Sequence, residues 1–255
     1  MKIARYEYQN QLAYGVLDEE TDELVKLFGD PILAGIDTLD ERVPVADVRL
    51  LAPVIPRSKV VAFGRNYAEH AREMGNEVAE EPMMFLKPNT SIIGPGHPII
   101  LPTQSQHVEH EVELAVIIGQ VARHVPAGQA HQVIFGYTVA NDVTARDLQR
   151  RDGQWSRAKG FDSFCPLGPY IETEFDPREG VIGAKVNGET KQLGNLNQME
   201  RTVGQLVEYA SSVFTLLPGD VLLTGTPAGV GPLVAGDEVV CAIEGIGALS
   251  NPVTS

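Results

Sequence analysis

The residues with the densest chemical content form one stretch, Glu109-His110-Glu111-Val112-Glu113-Leu114-Ala115-Val116-Ile117-Ile118-Gly119. From Val112 to Ile118 it is largely β-branched and aliphatic and closes on a glycine, which reads as a strand. Side chains alternate along a strand, so Glu111, Glu113, Ala115 and Ile117 share a face. That face is apolar at one end and doubly charged at the other. A core face carries two carboxylates only if something neutralises them. Carboxylate oxygens are the usual ligands of hard ions such as Mg²⁺ and Ca²⁺, so one reading is a metal site. The other is an edge strand whose acidic end reaches into water. Glu109 has the same parity, and spacing leaves open which two of the three acids would bind.

A third carboxylate, Asp142, ends the strand expected over Phe135–Ala140 and opens Val143–Gln149, which reads as helical. Aspartate at such a junction also suits an N-cap, or an i,i+4 pair with Arg146. Arg146 and Gln149 face the same way and gain interest only if Asp142 holds a metal. His70 and Glu73 are three apart on an expected helix over Tyr67–Met74 that Asn66 would cap. They suit a general-base dyad, because a carboxylate orients an imidazole that titrates near neutral pH. An exposed helical pair fits the same spacing. Lys87 and Lys159 lie in Pro- and Gly-rich loops and Arg65 follows Gly64, where a solvated cation is the plain alternative. The run Thr224–Gly231 looks like a phosphate loop. It lacks the Gly-Lys-Ser/Thr ending and meets Pro232 where a helix should begin, which excludes nucleotide binding of that kind. Its backbone amides still suit an anion. Cys165 has no histidine near it in sequence and is a weak nucleophile candidate.

These residues need elements to position them. Short strands are expected over Lys2–Tyr8, Leu12–Leu17 and Glu23–Leu27, a short helix over Pro31–Asp40, and an extended connector over the proline-rich Pro44–Pro56. A boundary near residue 55 separates a small N-terminal β domain, 1–55, from a main body, 56–255. In the body, strands are expected over Lys59–Phe63 and Met83–Leu86, an irregular loop over 150–168, and one helix over Thr202–Ser212. The turns Pro218-Gly219-Asp220 and Ala235-Gly236-Asp237 each precede an apolar run, Val221–Leu223 and Glu238–Ile243. Strands outnumber helices without regular alternation, which disfavours a Rossmann fold or a (β/α)₈ barrel. The 255 residues carry a net charge of −14, which argues against nonspecific binding to nucleic acid or anionic membrane. Two cysteines are too few for a disulfide framework. No stretch has the length of a membrane span and the start lacks a signal peptide's apolar run, so a cytoplasmic location is expected.

Six stretches in one order carry a resemblance: Gly64-Arg65-Asn66-Tyr67-Ala68-Glu69-His70, Phe85-Leu86-Lys87-Pro88, His110–Leu114, Asn141–Gln149, Ala158-Lys159-Gly160-Phe161-Asp162 and Thr224-Gly225-Thr226-Pro227. From about residue 57 to its end the chain resembles the fumarylacetoacetate hydrolase family, in its short acylpyruvase-like branch. The resemblance implies an α+β, mainly β fold, a mixed β-sandwich or β-roll, usually as a homodimer. It implies Mg²⁺ or Mn²⁺ held by Glu111, Glu113 and Asp142, which leaves Glu109 outside the ligand set. It places His70 and Glu73 on a mobile lid helix and assigns catalysis to them with Lys159 and Gln149. Substrate contact falls to Arg65, Lys87, Arg146 and Thr226. The expected substrate is a small 2-keto or β-diketo acid. The first expectation is a metal-dependent C–C hydrolase of acylpyruvates, with water activated by His70 and Glu73. Oxaloacetate decarboxylation, and isomerisation of 2-hydroxyhepta-2,4-diene-1,7-dioate in aromatic catabolism, suit the same site. A metal-binding homologue without turnover is disfavoured by the intact His70, Glu73 and Lys159.

Overall fold

All seven residues of the strand Val112–Ile118 are buried, so it is an interior strand and the edge-strand alternative falls. It pairs antiparallel with Ile134–Asn141 on one side and Val221–Leu223 on the other. Both of its faces pack. Val112, Leu114, Val116 and Ile118 enter a core shared with Ile182, Val239 and Leu249. Ala115 and Ile117 enter a second core with Val60, Ala62, Leu167 and Leu223. Burying one Leu or Ile side chain contributes about 1.5–3 kcal/mol, and a one-residue slip would exchange the two faces. The register that aims Glu113 is therefore held by the apolar residues beyond it.

The structure is a computed structural model describing residues 1–78 and 80–255. It is mostly sheet, in sheets of twelve, five and three strands. The main path of the largest runs through Thr38–Pro44, Glu23–Leu27, Gln11–Asp18, Lys2–Tyr8 and Cys165–Glu172. It continues through Ile134–Asn141, Val112–Ile118, Val221–Leu223, Val60–Gly64 and Met83–Lys87. The N-terminal strands thus extend the body's sheet, through pairs such as Ile3 with Ile171. The five-stranded sheet, which includes Val181–Val186, Glu189–Asn195 and Glu238–Ile243, lies against the other side of the first core.

Four α-helices complete the described chain: α1 (Pro31–Ala34), α2 (Ala68–Glu73), α3 (Arg146–Asp152) and α4 (Val203–Val213). In α4, Val203, Leu206, Val207 and Ala210 are buried at helical spacing against the first core. Thr202 caps it in a reciprocal box with Gln205. Among the described residues no helix is long and apolar enough to cross a membrane.

Several local expectations give way. The helix expected over Pro31–Asp40 stops at Ala34, where Gly35 turns to φ 84°, and Thr38–Pro44 pairs as a strand instead. The Pro44–Pro56 connector contains a strand, Arg49–Leu51, paired with Lys2–Tyr8. Asn66 does not cap α2. Its Nδ2 donates to the Arg201 and Thr224 carbonyls and its Oδ1 accepts from the Arg201 N–H, so it ties the start of α2 to two distant loops. Helix α3 starts three residues later than expected, at Arg146, with Ala145 at the N-cap position. It also takes the first residues of the loop expected over 150–168, and a strand begins at Cys165.

Both thiols are buried, and burial pushes Cys165 up to about 12 and Cys241 further. Only a thiolate reacts readily. The native protein at pH 8 should therefore show no thiol toward an aromatic disulfide reagent, and two after denaturation. A thiol reacting within seconds in the native state would contradict this packing.

Candidate metal centre and active site

The chain breaks its strand at Glu111. Val108–His110 and Val112–Ile118 belong to different sheets, and Glu111 is the hinge between them. Its N–H donates to Asn141 Oδ1 at 2.9 Å and its carbonyl accepts the Asp142 N–H at 2.8 Å. These two bonds lock the Glu111 backbone to the Asn141 side chain and the Asp142 N–H at the neighbouring strand's end. Glu113 is paired opposite Ala140 in the same ladder. One carboxylate oxygen from each of Glu111, Glu113 and Asp142 lies within 4.8 Å of the others, and all three residues are buried.

Glu111 and Asp142 are answered by cations. Lys159 Nζ donates to Glu111 Oε2 at 2.7 Å and Asp142 Oδ2 at 2.5 Å. Lys87, only 2% exposed, donates to Asp142 Oδ1 at 2.6 Å and to the Lys159 carbonyl. Asp142 is thus neither an N-cap nor the partner of Arg146, and Lys87 and Lys159 are not solvated cations. Arg146 reaches instead to Glu109 at 2.7 Å and to Glu111, while its Nη1 donates to Gln149 Oε1 at 2.7 Å. Glu109, which also meets His107 at 2.7 Å, stands apart from the three-carboxylate group.

Glu113 has no such cation. Its one hydrogen-bond donor among the described residues is the Gly225 N–H, at 2.7 Å. Burial and the neighbouring Asp142 charge hold its carboxyl well above the usual range. Burial would raise Glu111 too, but the charges of Lys159 and Arg146 hold it below the usual range. Burial would lower Lys159, and Asp142 and Glu111 raise it. Four buried carboxylates therefore meet three buried cations, Lys87, Lys159 and Arg146. Glu113 is the carboxyl left without a cation, and burial beside Asp142 favours its neutral form. An all-oxygen donor set in which one carboxyl lacks a cation fits a hard divalent ion.

A cavity of ≈ 50 Å³ opens above this cluster, lined by Gly64, Arg65, His70, Met74, Glu111, Arg146, Gln149, Trp155 and Lys159. That space suits only one or two waters. Helix α2 forms one wall, with His70 at 7% and Ala71 at 0% exposure. His70 Nδ1 lies 3.3 Å from Glu73 Oε2, and the Glu73 carboxylate also accepts the Gly229 N–H. Since a carboxylate only accepts, Nδ1 carries a proton, and in the neutral ring Nε2 holds the lone pair. The same logic applies to Gln149. Arginine only donates, so its Oε1 faces Arg146 and its amide N–H groups are left for another acceptor. Arg65 holds φ 58°, the left-handed region that costs a non-glycine residue about 1–2 kcal/mol, and has no ion-pair partner among the described residues.

Not every expected residue borders the cavity. Lys87, Asp142 and Glu113 lie outside its lining, as do Glu73 and Thr226. Thr226 is buried and its hydroxyl accepts from Gln192 at 2.8 Å. A larger cavity of ≈ 870 Å³, beside Tyr137 and Phe175, holds none of the expected residues. Three contributors escaped the sequence reading. Asn141 and Gln192 act only through contacts with residues far away in the chain. Trp155 packs edge-on to Phe85 with ring centroids 5.2 Å apart, and its ring lies 5.8 Å from Lys159 Nζ. Its only signal was an isolated aromatic in an irregular loop.

Residues 59–254 match the family described as Fumarylacetoacetate (FAA) hydrolase C-terminal, and residues 1–53 match Rv2993c-like, N-terminal. The chain belongs to the fumarylacetoacetate hydrolase family. Its structure is similar to that of 5-carboxymethyl-2-hydroxymuconate delta-isomerase from Mycobacterium smegmatis, at TM-score 0.93 and 46% identity over 100% of this chain and 99% of that one. Its sequence is 47% identical to the Homo sapiens oxaloacetate tautomerase FAHD2A, mitochondrial, over 82% of this chain and 71% of that protein. A third likeness is to fumarylpyruvate hydrolase from Pseudomonas aeruginosa in complex with Mn²⁺ and pyruvate, at TM-score 0.74 and 36% identity, covering 81% of this chain and 91% of that one. These fumarylacetoacetate hydrolase family members are enzymes with three different reactions.

Glu113→Gln removes the carboxylate that lacks a cation. The metal-free variant should melt at or above the wild-type temperature. Mn²⁺ at a hundredfold excess over Kd stabilises a binding protein by about 2.7 kcal/mol, and only the wild type should gain this. Glu109→Gln should keep the response. Thermal melts in EDTA and in MnCl₂ check both, and an equal Mn²⁺ gain in Glu113→Gln would remove Glu113 from the ligand set.

Proposed function

We propose that the protein is a divalent-cation-dependent enzyme that moves a proton at C3 of a small 2-keto dicarboxylic acid, interconverting enol and keto forms. The observation that carries this reading is the convergence of His70, Gln149, Lys159 and Arg65 on one cavity above three buried carboxylates. Mg²⁺ or Mn²⁺ held by Glu111, Glu113 and Asp142 would supply Lewis acidity toward the carboxylate and 2-keto oxygens of such a substrate.

The chain's own groups account for the rest. His70 Nε2, its ring oriented by the Glu73 carboxylate on Nδ1, takes the C3 proton. Charge then moves onto the 2-keto oxygen, where the free N–H groups of Gln149 and the Lys159 ammonium can donate to it. Return of the proton to that oxygen, or to carbon in the reverse sense, completes the exchange. Arg65 stands at the cavity wall without a carboxylate of its own, which suits the substrate's distal carboxylate. Its left-handed backbone is the kind of local cost that persists where a site uses it. Tautomerase and isomerase chemistry take first place over the expected hydrolase because the relatives at 46–47% identity carry those names.

Hydrolysis of an acylpyruvate is the second reading, favoured by the assembled His70–Glu73 dyad. In it His70 takes a proton from water, the hydroxide adds to the C4 carbonyl, and the C3–C4 bond breaks. Its electrons go to C3, which is protonated, so the products are an acid and pyruvate.

Loss of enol absorbance from oxaloacetate, measured with Mn²⁺, separates the readings from acetylpyruvate cleavage. His70→Ala should slow the tautomerisation about 10²–10⁴-fold, the scale of a lost general base. Arg65→Ala should raise KM for oxaloacetate and not for the monocarboxylate acetylpyruvate. A chain that cleaves acetylpyruvate rapidly while leaving enol-oxaloacetate at its spontaneous rate would overturn the first reading in favour of the second.

A further inference from the structure

Glu109 lies outside the three-carboxylate group and outside the cavity lining, yet it is buried and both of its oxygens are engaged. Oε2 accepts from Arg146 Nε at 2.7 Å, and Oε1 lies 2.7 Å from His107 Nε2. Taking a carboxylate out of water is costly, and neither the ligand set nor the cavity wall uses this one. Backbone pairing sets its place. Glu109 stands opposite Thr144, and the Arg146 N–H donates to the His107 carbonyl at 2.7 Å. The strand Val108–His110 thus anchors the first turn of α3, which Ala145 leaves without a side-chain cap.

The Arg146 guanidinium is a planar fork whose donors point in fixed directions. Nε is taken by Glu109, Nη2 by Glu111, and Nη1 by Gln149 Oε1 at 2.7 Å. Two carboxylates therefore fix the plane, and the direction of Nη1 follows from it. Gln149 is three residues along α3, where its side chain meets that of Arg146. Both residues line the cavity, and the Gln149 amide N–H groups have no acceptor among the described residues. Without Glu109 the plane would be held by Glu111 alone. It could then turn about that contact and carry the Gln149 amide with it.

We propose that Glu109 is a positioning residue: it fixes the Arg146 guanidinium, which holds the Gln149 amide with its N–H groups toward the cavity. The assignment rests on the reading of Gln149 as a donor to a substrate oxygen. What Glu109 supplies is reach more than charge, because Arg146 keeps Glu111 as a counterion.

Reach and charge are separable by substitution. Glu109→Gln keeps the length and offers Arg146 an uncharged amide oxygen. Glu109→Asp keeps the charge and draws the acceptor back by one methylene. Oxalate, a planar dianion, is the probe, because its binding to the Mn²⁺-loaded protein reads the donor without turnover. By calorimetry Glu109→Asp should weaken oxalate about tenfold, the scale of one hydrogen bond to a charged group, with Mn²⁺ affinity little changed. Glu109→Gln should bind oxalate like the wild type. Gln149→Ala should weaken oxalate at least as much as Glu109→Asp, and combining the two should add nothing. The kcat for enol-oxaloacetate should fall in the same order. If Glu109→Asp does not fold, Glu109→Ser, which lacks both reach and charge, must show the same loss and the same non-additivity. Oxalate affinity lost in Glu109→Gln and kept in Glu109→Asp would make charge the contribution and overturn the positioning role. Effects that multiply in the Gln149→Ala background would overturn it too. So would a Gln149→Ala protein, or a wild type, whose oxalate binding shows no use of this donor. The predicted binding pattern in a chain that leaves enol-oxaloacetate at its spontaneous rate would overturn the proposed reaction and uphold the role of Glu109.

Discussion

Carboxylates taken out of water must be neutralised, and the whole site depends on how this protein meets that condition. Desolvating an ion costs several kcal/mol even after relaxation. Glu109, Glu111, Glu113 and Asp142 are all buried, and Lys87, Lys159 and Arg146 are buried with them. Removing a cation from such a set leaves a bare charge, so Glu111 and Asp142 depend on Lys87, Lys159 and Arg146. One carboxyl, Glu113, is reached by no lysine or arginine among the described residues, and a divalent cation would supply the charge that its ionised form needs.

The fold serves this cluster by fixing backbones before side chains. The strand Val112–Ile118 is packed on both faces, so the side chains of Glu111 and Glu113 inherit its register. The strand Ile134–Asn141 delivers Asn141 to the Glu111 N–H and Asp142 to the Glu111 carbonyl. The loop after Val221–Leu223 brings the Gly225 N–H to Glu113, and Gln192 ties that loop back to Val112. His70 stands on a shorter element than the strands Val112–Ile118 and Ile134–Asn141. Helix α2 is only six residues long, and beyond its Asn66 root it is held by Glu73 on the Gly229 N–H.

How much of this was legible follows from the range of the interactions. The strand, its parity and the pairing of Glu111 with Glu113 on one face depend on neighbours in sequence, and alternation revealed them. The amphipathic stripe and cap of α4 are local in the same way. Asp142 was ambiguous because an N-cap and a buried acceptor for two lysines look alike in a single sequence. The lysines that resolve it come from residues 87 and 159. Asn66 looked like a cap for the same reason, and its true partners lie 135 and 158 residues away. Gln192 sits among exposed strand residues, where nothing local sets it apart. The assignment of Arg146 to the substrate rested on resemblance, whereas its place between Glu109 and Glu111 needed the fold.

Anomalous diffraction from crystals grown with Mn²⁺ tests most directly whether the three-carboxylate cluster holds a divalent cation. One strong Mn²⁺ peak is expected, bonded to carboxylate oxygens of Glu111, Glu113 and Asp142, with Glu109 still on Arg146. Crystals with no peak there, or a peak held by Glu109 in place of Glu113, would contradict that expectation.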